Sequence, residues 1–261
     1  MIISHKYRFL FIGLPFSASS AITKELHEQY AGEPLLRKHS LYNEFKKIAT
    51  KKELEYFVFA VLRNPMEIVV TVYEKMKNNE KGNFTNPSLF KKNGGHITNS
   101  QLKRFNYIHK KNATFQQYFK KFYKTPYDNL ASLTIEKCDF VIRYENIKTD
   151  YILALKEAGI ESPKQLPIAN KTVGKKDDLL NYYTKEIQSQ AIYVFGPFLK
   201  KHKYSFPKKW GQKKVPLSSS VIFYFSGVFK KLIEPYKQKI KTYSMKGTIY
   251  GDIQRKHIKK N

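Results

Sequence analysis

Residues 9–26, FLFIGLPFSASSAITKEL, decide how the chain is read. Phe9-Leu10-Phe11-Ile12 is a short apolar run of the kind that forms a buried strand. Gly13-Leu14-Pro15 breaks it. Phe16 then leads into five small side chains, Ser17, Ala18, Ser19, Ser20 and Ala21, and Ile22 to Leu26 has the pattern of a helix start. A strand, a tight loop of small residues and a helix N-terminus together make an anion cradle. The first N–H groups of a helix lack intrahelical partners, and the helix dipole adds positive potential where they point. The loop lacks the two glycines and the Lys-Ser/Thr of a Walker loop, and Gly13 alone is no dinucleotide fingerprint. The same pattern also describes an ordinary strand–loop–helix connection.

Outward from that stretch, Met1 to Ile12 reads as the first strand and Ser20 to Tyr30 as the first helix. Ser40 reads as the cap of a helix over 41–48, with Leu41, Phe45 and Ile48 on one face. Residues 56–62, YFVFAVL, form the clearest strand, apolar throughout and expected to be buried on both faces. Arg63 ends it. Asn64, Pro65 and Glu67 form a capping-box arrangement, and the helix they open is expected to run to about Lys77. Residues 78–113 are polar and broken by Gly, Asn and Pro; the expectation is an insertion, irregular before about Gln101, acting as a lid or acceptor loop. Thr114–Tyr123 reads as a helix with an aromatic face, Cys138–Arg143 as a third strand, and Asp150–Ala158 as a helix stopped by Gly159. A further helix is expected over Leu179–Phe195, with a short separate one near Pro197–His202. Alternating strands and helices predict an α/β fold with a mostly parallel central sheet flanked by helices. Ligands in such sheets bind beyond the C-terminal strand ends, where the 13–20 loop and Arg63 both fall.

The chain has 261 residues and 41% apolar residues, enough for a packed core, and 48 basic against 21 acidic side chains give a net charge of +27. Such a field favours polyanionic partners, although a lysine-rich solvated surface gives the same number. Cys138 is the only cysteine, so no intrachain disulfide forms. No signal-peptide pattern and no stretch near the ~20 apolar residues of a spanning helix is found, so a cytoplasmic location is expected. The seven histidines and one cysteine show no metal-ligand spacing. No motif of a common nucleic-acid fold is present, so nucleic acid is not the expected partner.

Arg63 at a strand end offers a bidentate fork for phosphate, and Thr71, two helical turns on, adds a hydroxyl. With the first loop these residues carry a resemblance. The chain resembles the sulfotransferases that use 3′-phosphoadenosine 5′-phosphosulfate (PAPS), most closely their carbohydrate branch. The family's first-loop pattern, His-Ile-Pro-Lys-Thr-Gly-Gly-Thr-Ser-Ile, aligns with Gly13-Leu14-Pro15-Phe16-Ser17-Ala18-Ser19-Ser20-Ala21-Ile22. The second, Val-Arg-Asn-Pro then Ser-x-Tyr, aligns with Leu62-Arg63-Asn64-Pro65 and Thr71-Val72-Tyr73. Further matches are the FVIRYENI stretch at 140–147, Leu166-Pro167 with Asn170-Lys171, and Tyr204-Ser205-Phe206. The resemblance covers about residues 6–210.

It implies a P-loop-like nucleotide-binding sulfotransferase fold over 1–210; residues 211–261, which the resemblance does not cover, read as a basic C-terminal extension. It implies PAPS as co-substrate and a hydroxyl-bearing glycan or lipid acceptor, an anionic one included. Phe16, Ser17, Ala18, Ser19, Ser20 and Ala21 would cradle the 5′ end; Arg63, Thr71, Asn170 and Lys171 would hold the rest of the nucleotide. His39 lies where some members carry a catalytic histidine, and an imidazole suits removal of the acceptor proton. The family's loop lysine falls on Phe16, so another cation is needed, with Lys38 first and Lys24 second in line. The alternative is a nucleotide- or polyanion-binding protein impaired in catalysis. In the extension, apolar 221–229 followed by lysines either lies on an anionic membrane or packs on the domain.

Overall fold

The apolar start of the chain folds back on itself. In the computed structural model, which describes residues 1–167, 172–233 and 248–258, β1 (Ile2–Ser4) and β2 (Phe9–Ile12) form an antiparallel hairpin rather than one strand. Arg8 turns the chain at φ 51°, and the Ser4 hydroxyl accepts from the Tyr7 N–H inside the turn. A left-handed arginine replaces the usual Gly or Asn, so the turn leaves no sequence signal. α1 (Ser19–Gln29) follows, then the two-residue β3 (Glu33–Pro34), which pairs antiparallel with β1.

β4 (Phe57–Leu62) lies parallel to β2, and β5 (Phe140–Arg143) lies parallel to β4. The five-stranded sheet has the order β3-β1-β2-β4-β5. Two of its four pairings are parallel and two antiparallel. The protein is therefore α/β with a mixed sheet flanked by helices. The expectation of a mostly parallel sheet is corrected by the hairpin, which places β1 between β2 and the edge.

Helices cover both faces. On one side α1, α6 (Ile147–Glu157) and the sheet residues Phe9, Phe11, Phe59, Val61 and Ile142 share a core with Tyr151 and Leu155. On the other, Leu10, Ile12, Val58 and Ala60 pack with Met1, Ile3, Phe45 and Tyr56, and beyond the sheet α3 (Pro65–Lys77), α4 (Asn99–Lys111), α5 (Phe115–Phe122) and α7 (Gln188–Lys201) form a second core of their own around Tyr73, Phe115, Tyr118, Phe119, Tyr183 and Phe195. The stretch read as an insertion contributes Phe84, Ile97, Phe105 and Ile108 to that second core. Thr98 and Thr114 cap α4 and α5 with full capping boxes.

Two helices depart from the sequence reading. α2 is one turn, Tyr42–Phe45, capped by Leu41 rather than Ser40. The Ser40 hydroxyl instead donates to Glu44 (2.8 Å), whose carboxylate also holds Arg37 (2.8 Å). α7 begins later than expected, after 3-10 turns at Leu179–Asn181 and Lys185–Ile187, and then runs unbroken through Pro197. Proline has no N–H, so it frees the carbonyl four residues back, that of Tyr193. The Ser219 hydroxyl of α8 (Leu217–Ile233) donates to that carbonyl. A Cβ on Gly196 would lie 2.6 Å from Val215. Gly196-Pro197, which reads as a helix break, is thus the seat for α8. The last helix, α9 (Ile249–Ile258), packs on α1 and β3 with Tyr250 buried.

His202, at the end of α7, is buried, and its Nε2 has no partner. Burial first, then Lys201 and Arg143, hold its pKa down at about 4. Because the folded value lies below the unfolded one, its contribution is complete above about pH 6.5 and is lost as pH falls towards 4. Thermal melts should therefore lose stability across that window, by on the order of 1–2 kcal/mol from this residue. His202→Phe keeps the ring against Phe198, 4.3 Å away, and should reduce the loss, leaving the part that comes from His39, which burial also holds at about 4; an unchanged slope would assign the acid sensitivity elsewhere.

Candidate functional site

β2 and β4 run parallel, so their C-terminal ends bring Gly13 and Arg63 to the same edge of the sheet. The loop between β2 and α1 is tightly wound. Phe16 and Ala18 both have positive φ, 60° and 56°, a conformation that disfavours residues with a Cβ and concentrates at functional sites. Two contacts hold the loop there. The Ser17 hydroxyl donates back to the Leu14 carbonyl (2.7 Å), and Arg63 Nη1 donates to the Phe16 carbonyl (3.0 Å). Ala18 is the N-cap of α1, so no side chain caps this helix, and its first turn has no acid. The N-terminus of α1 is therefore a natural place for an anion.

Arg63 is buried and stands at the centre of the cluster. Its Nη2 donates to the Thr71 hydroxyl (3.1 Å) and lies 3.5 Å from Glu67. Its guanidinium sits 4.0 Å from the Tyr144 ring centroid, a cation–π contact. Its Nε has no partner. Glu67 also receives Lys175 in an ion pair. Asn64 caps α3 by accepting from Met66 N–H (2.9 Å), as its sequence predicts, but the expected capping box does not form, because Glu67 turns to Arg63 and Lys175. Glu145 accepts from Asn64 N–H (2.9 Å) and from the Tyr204 hydroxyl (3.0 Å), tying the β5 end to the start of α3.

Lys38 and His39 reach the same loop from the segment after β3. Lys38 Nζ donates to the Ser20 hydroxyl (3.0 Å) in the first turn of α1. Burial, with Lys75 adding to it, brings its pKa down to about 8. His39 Nδ1 donates to the Gly13 carbonyl at 2.6 Å. A carbonyl only accepts, so Nδ1 carries the proton and Nε2 is left as the basic nitrogen. Burial lowers the His39 pKa to about 4, against the raising effect of the Gly13 bond. The imidazole is therefore neutral at pH 7. α9 positions this segment: the Tyr250 hydroxyl donates to the Leu36 carbonyl (2.8 Å) and Gln254 donates to the same oxygen (3.2 Å).

A cavity of about 380 Å³ opens beside the loop. Leu14 to Ser17, Arg63, Val69, Tyr127, Asp128 and Lys230 are among its lining residues, whereas Lys38 and His39 are not. Lys230 of α8 pairs with the buried Asp128 carboxylate at 2.6 Å.

The sequence-predicted residues Phe16 to Ala21, Arg63, Thr71, Lys38 and His39 thus gather around the first loop, with Lys38 and His39 outside the cavity lining. Asn170 and Lys171 lie outside the described residues. Phe16 is 38% exposed, and its backbone, not its ring, serves the cluster. Lys24 faces Glu28 along α1 at 3.9 Å instead. Sequence reasoning missed Glu67 and Tyr144 as partners of Arg63, and Tyr250 as the support of the Lys38 segment. Tyr144 stands in the quoted 140–147 stretch, but nothing local marks it as the ring beneath an arginine. Among the described residues no group of three His, Cys, Asp or Glu is placed to hold a metal ion. Compared with family models, with curated proteins and with solved structures, the chain finds no match in any of the three.

Proposed function

We propose that the chain transfers a sulfuryl group from PAPS to a hydroxyl of a glycan or glycolipid acceptor, on a P-loop-like sulfotransferase fold. The observation that carries this reading is the bond from Arg63 to the Phe16 carbonyl, which joins the two phosphate-type elements into one site. In the reaction, the bond between sulfur and the bridging phosphate oxygen breaks, and a bond forms from sulfur to the acceptor oxygen. The acceptor proton passes to His39 Nε2. Negative charge grows on the leaving oxygen, and the Lys38 ammonium, held at Ser20, lies beside the α1 N-terminus that would receive it. Positioning and charge neutralisation supply most of the acceleration in such a transfer. Arg63 and Thr71 take the 3′-phosphate.

A second reading, a nucleotide-binding protein without transfer, is favoured by one observation. Phe16 stands where the family carries its lysine, and no ammonium comes from the loop itself.

Incubation with labelled PAPS and a panel of glycans and glycolipids separates the two. The wild-type protein should label at least one hydroxyl acceptor. His39→Ala should lower turnover about 10²-fold or more, the usual size of a general-base contribution, while nucleotide affinity stays within about twofold. Transfer at the wild-type rate by that variant would remove His39 from the mechanism. Tight nucleotide binding with no transfer to any acceptor would leave the second reading standing.

A further inference from the structure

α8 buries one face and opens the other. Its inward residues, Ser219, Phe223, Gly227 and Lys230, recur at helical spacing, and each meets the domain or is at least partly covered by it. Ser219 bonds the carbonyl freed by Pro197, Phe223 packs with Leu14, Leu62, Ala131 and Phe198, and Lys230 pairs with Asp128. These three contacts set the rotation of the helix about its axis. The outward face is thereby set as well. Leu217, Val221, Ile222, Tyr224, Phe225, Val228, Phe229 and Leu232 are all exposed, from 40% to 79%. At 100° per residue they fall within an arc of about 160°, interrupted only by Ser218. Scattered apolar residues are normal on a protein surface, but eight on one helix face mark a surface with a partner.

The charges around the helix choose the partner. Lys208, Lys209, Lys213 and Lys214 precede it, all exposed and without an ion pair among the described residues. In the sequence, 234–247 adds Lys237, Lys239, Lys241 and Lys246 against the single acid Glu234. A second copy of this chain would bring the same lysines and a net charge of +27 against them, which opposes association. An anionic bilayer supplies the opposite charge and a medium for the apolar face. No helix among the described residues is long and apolar enough to cross a membrane, so the contact is interfacial.

We propose that α8 is an interfacial helix that docks the protein on an anionic lipid bilayer, its outer face among the upper acyl chains and the flanking lysines on the headgroups. Lys230 also lines the cavity beside the first loop, so the lipid-facing surface and the cavity wall are two sides of one helix. If sulfuryl transfer holds, this placement favours a lipid-borne hydroxyl acceptor; the docking itself does not depend on that reading.

Vesicle sedimentation of the full chain tests it without nucleotide or acceptor, so it fails or succeeds independently of transfer. The protein should sediment with vesicles of equimolar phosphatidylcholine and phosphatidylserine, release progressively as salt is raised, and bind pure phosphatidylcholine about tenfold or more weakly. Phe225→Glu with Phe229→Glu changes only outward positions. It should leave the melting temperature unchanged and weaken binding about tenfold or more. Gln at Lys208, Lys209, Lys213 and Lys214 should reduce the salt dependence. Full binding by the double Glu variant overturns the proposal, as does equal binding to neutral and anionic vesicles. A wild-type dimer in solution that the double variant converts to monomer assigns the face to a second copy and overturns it too.

Discussion

3′-Phosphoadenosine 5′-phosphate raises the melting temperature of the wild-type protein and fails to raise that of Arg63→Ala: this is the expected result of a thermal-shift experiment. A ligand that binds only the native state stabilises it by mass action. Adenosine 5′-phosphate, which lacks the 3′-phosphate, should stabilise the wild type much less. Charge-assisted hydrogen bonds contribute about 1.5–3 kcal/mol each. Loss of the Arg63 fork should therefore cost 10²-fold or more, roughly, in affinity. Arg63→Ala also removes the bonds to Phe16 and Thr71 and the contact with Tyr144, so its own melting temperature should fall. The informative quantity is the difference between the two nucleotides, not the absolute value. Arg63→Lys keeps the charge but not the planar fork, and should recover little of it. Glu67 already has Lys175 as a second partner, so it can release Arg63 to a phosphate without being left alone. Equal shifts from both nucleotides in the wild type would remove Arg63 and Thr71 from the 3′-phosphate site.

The second large effect concerns Lys38. A cation placed where charge develops contributes about 3–4 kcal/mol in a water-excluded site. Lys38→Ala should accordingly lower turnover by roughly 10²- to 10³-fold and change nucleotide affinity far less. Phe16→Lys should restore part of it. The Phe16 side chain is partly open to solvent, and lysine at φ 60° meets the same backbone strain as phenylalanine, so the replacement is tolerated. The pH profile gives an independent reading. His39 must be neutral to accept a proton, so kcat/KM rises through its pKa of about 4. Lys38 must be charged to stabilise the leaving oxygen, so kcat/KM falls above its pKa of about 8. The result is a broad bell. Lys38→Ala should lose the alkaline limb, and His39→Ala the acid one. An alkaline limb that persists in Lys38→Ala would assign the cationic role elsewhere.

Much of this was legible because it is local. β4 and the core of β2 are unbroken apolar runs bounded by breakers, and burial follows from composition. Asn64-Pro65 opens α3 because its cap and first-turn geometry lie within two residues. The meeting of the first loop with Arg63 was legible as well, since two strands of one sheet bring their C-terminal ends to one edge when they run parallel.

What the sequence by itself determined was therefore the α/β class, the apolar runs of β2 and β4, the cap of α3, and the residues that gather at the sheet edge. The tertiary structure alone decided the rest, wherever a residue's conformation depends on a partner far along the chain. The hairpin turn uses Arg8 in a left-handed conformation that no local preference predicts. α7 passes through Pro197 because Ser219 satisfies the carbonyl that proline leaves free, and Gly196 leaves room for Val215. The His39 tautomer is set by the Gly13 carbonyl, and the Lys38 segment by Tyr250 of α9. A hydrogen bond between distant residues leaves no periodicity and no spacing in the chain; it exists only once the sheet has fixed the ends that carry it.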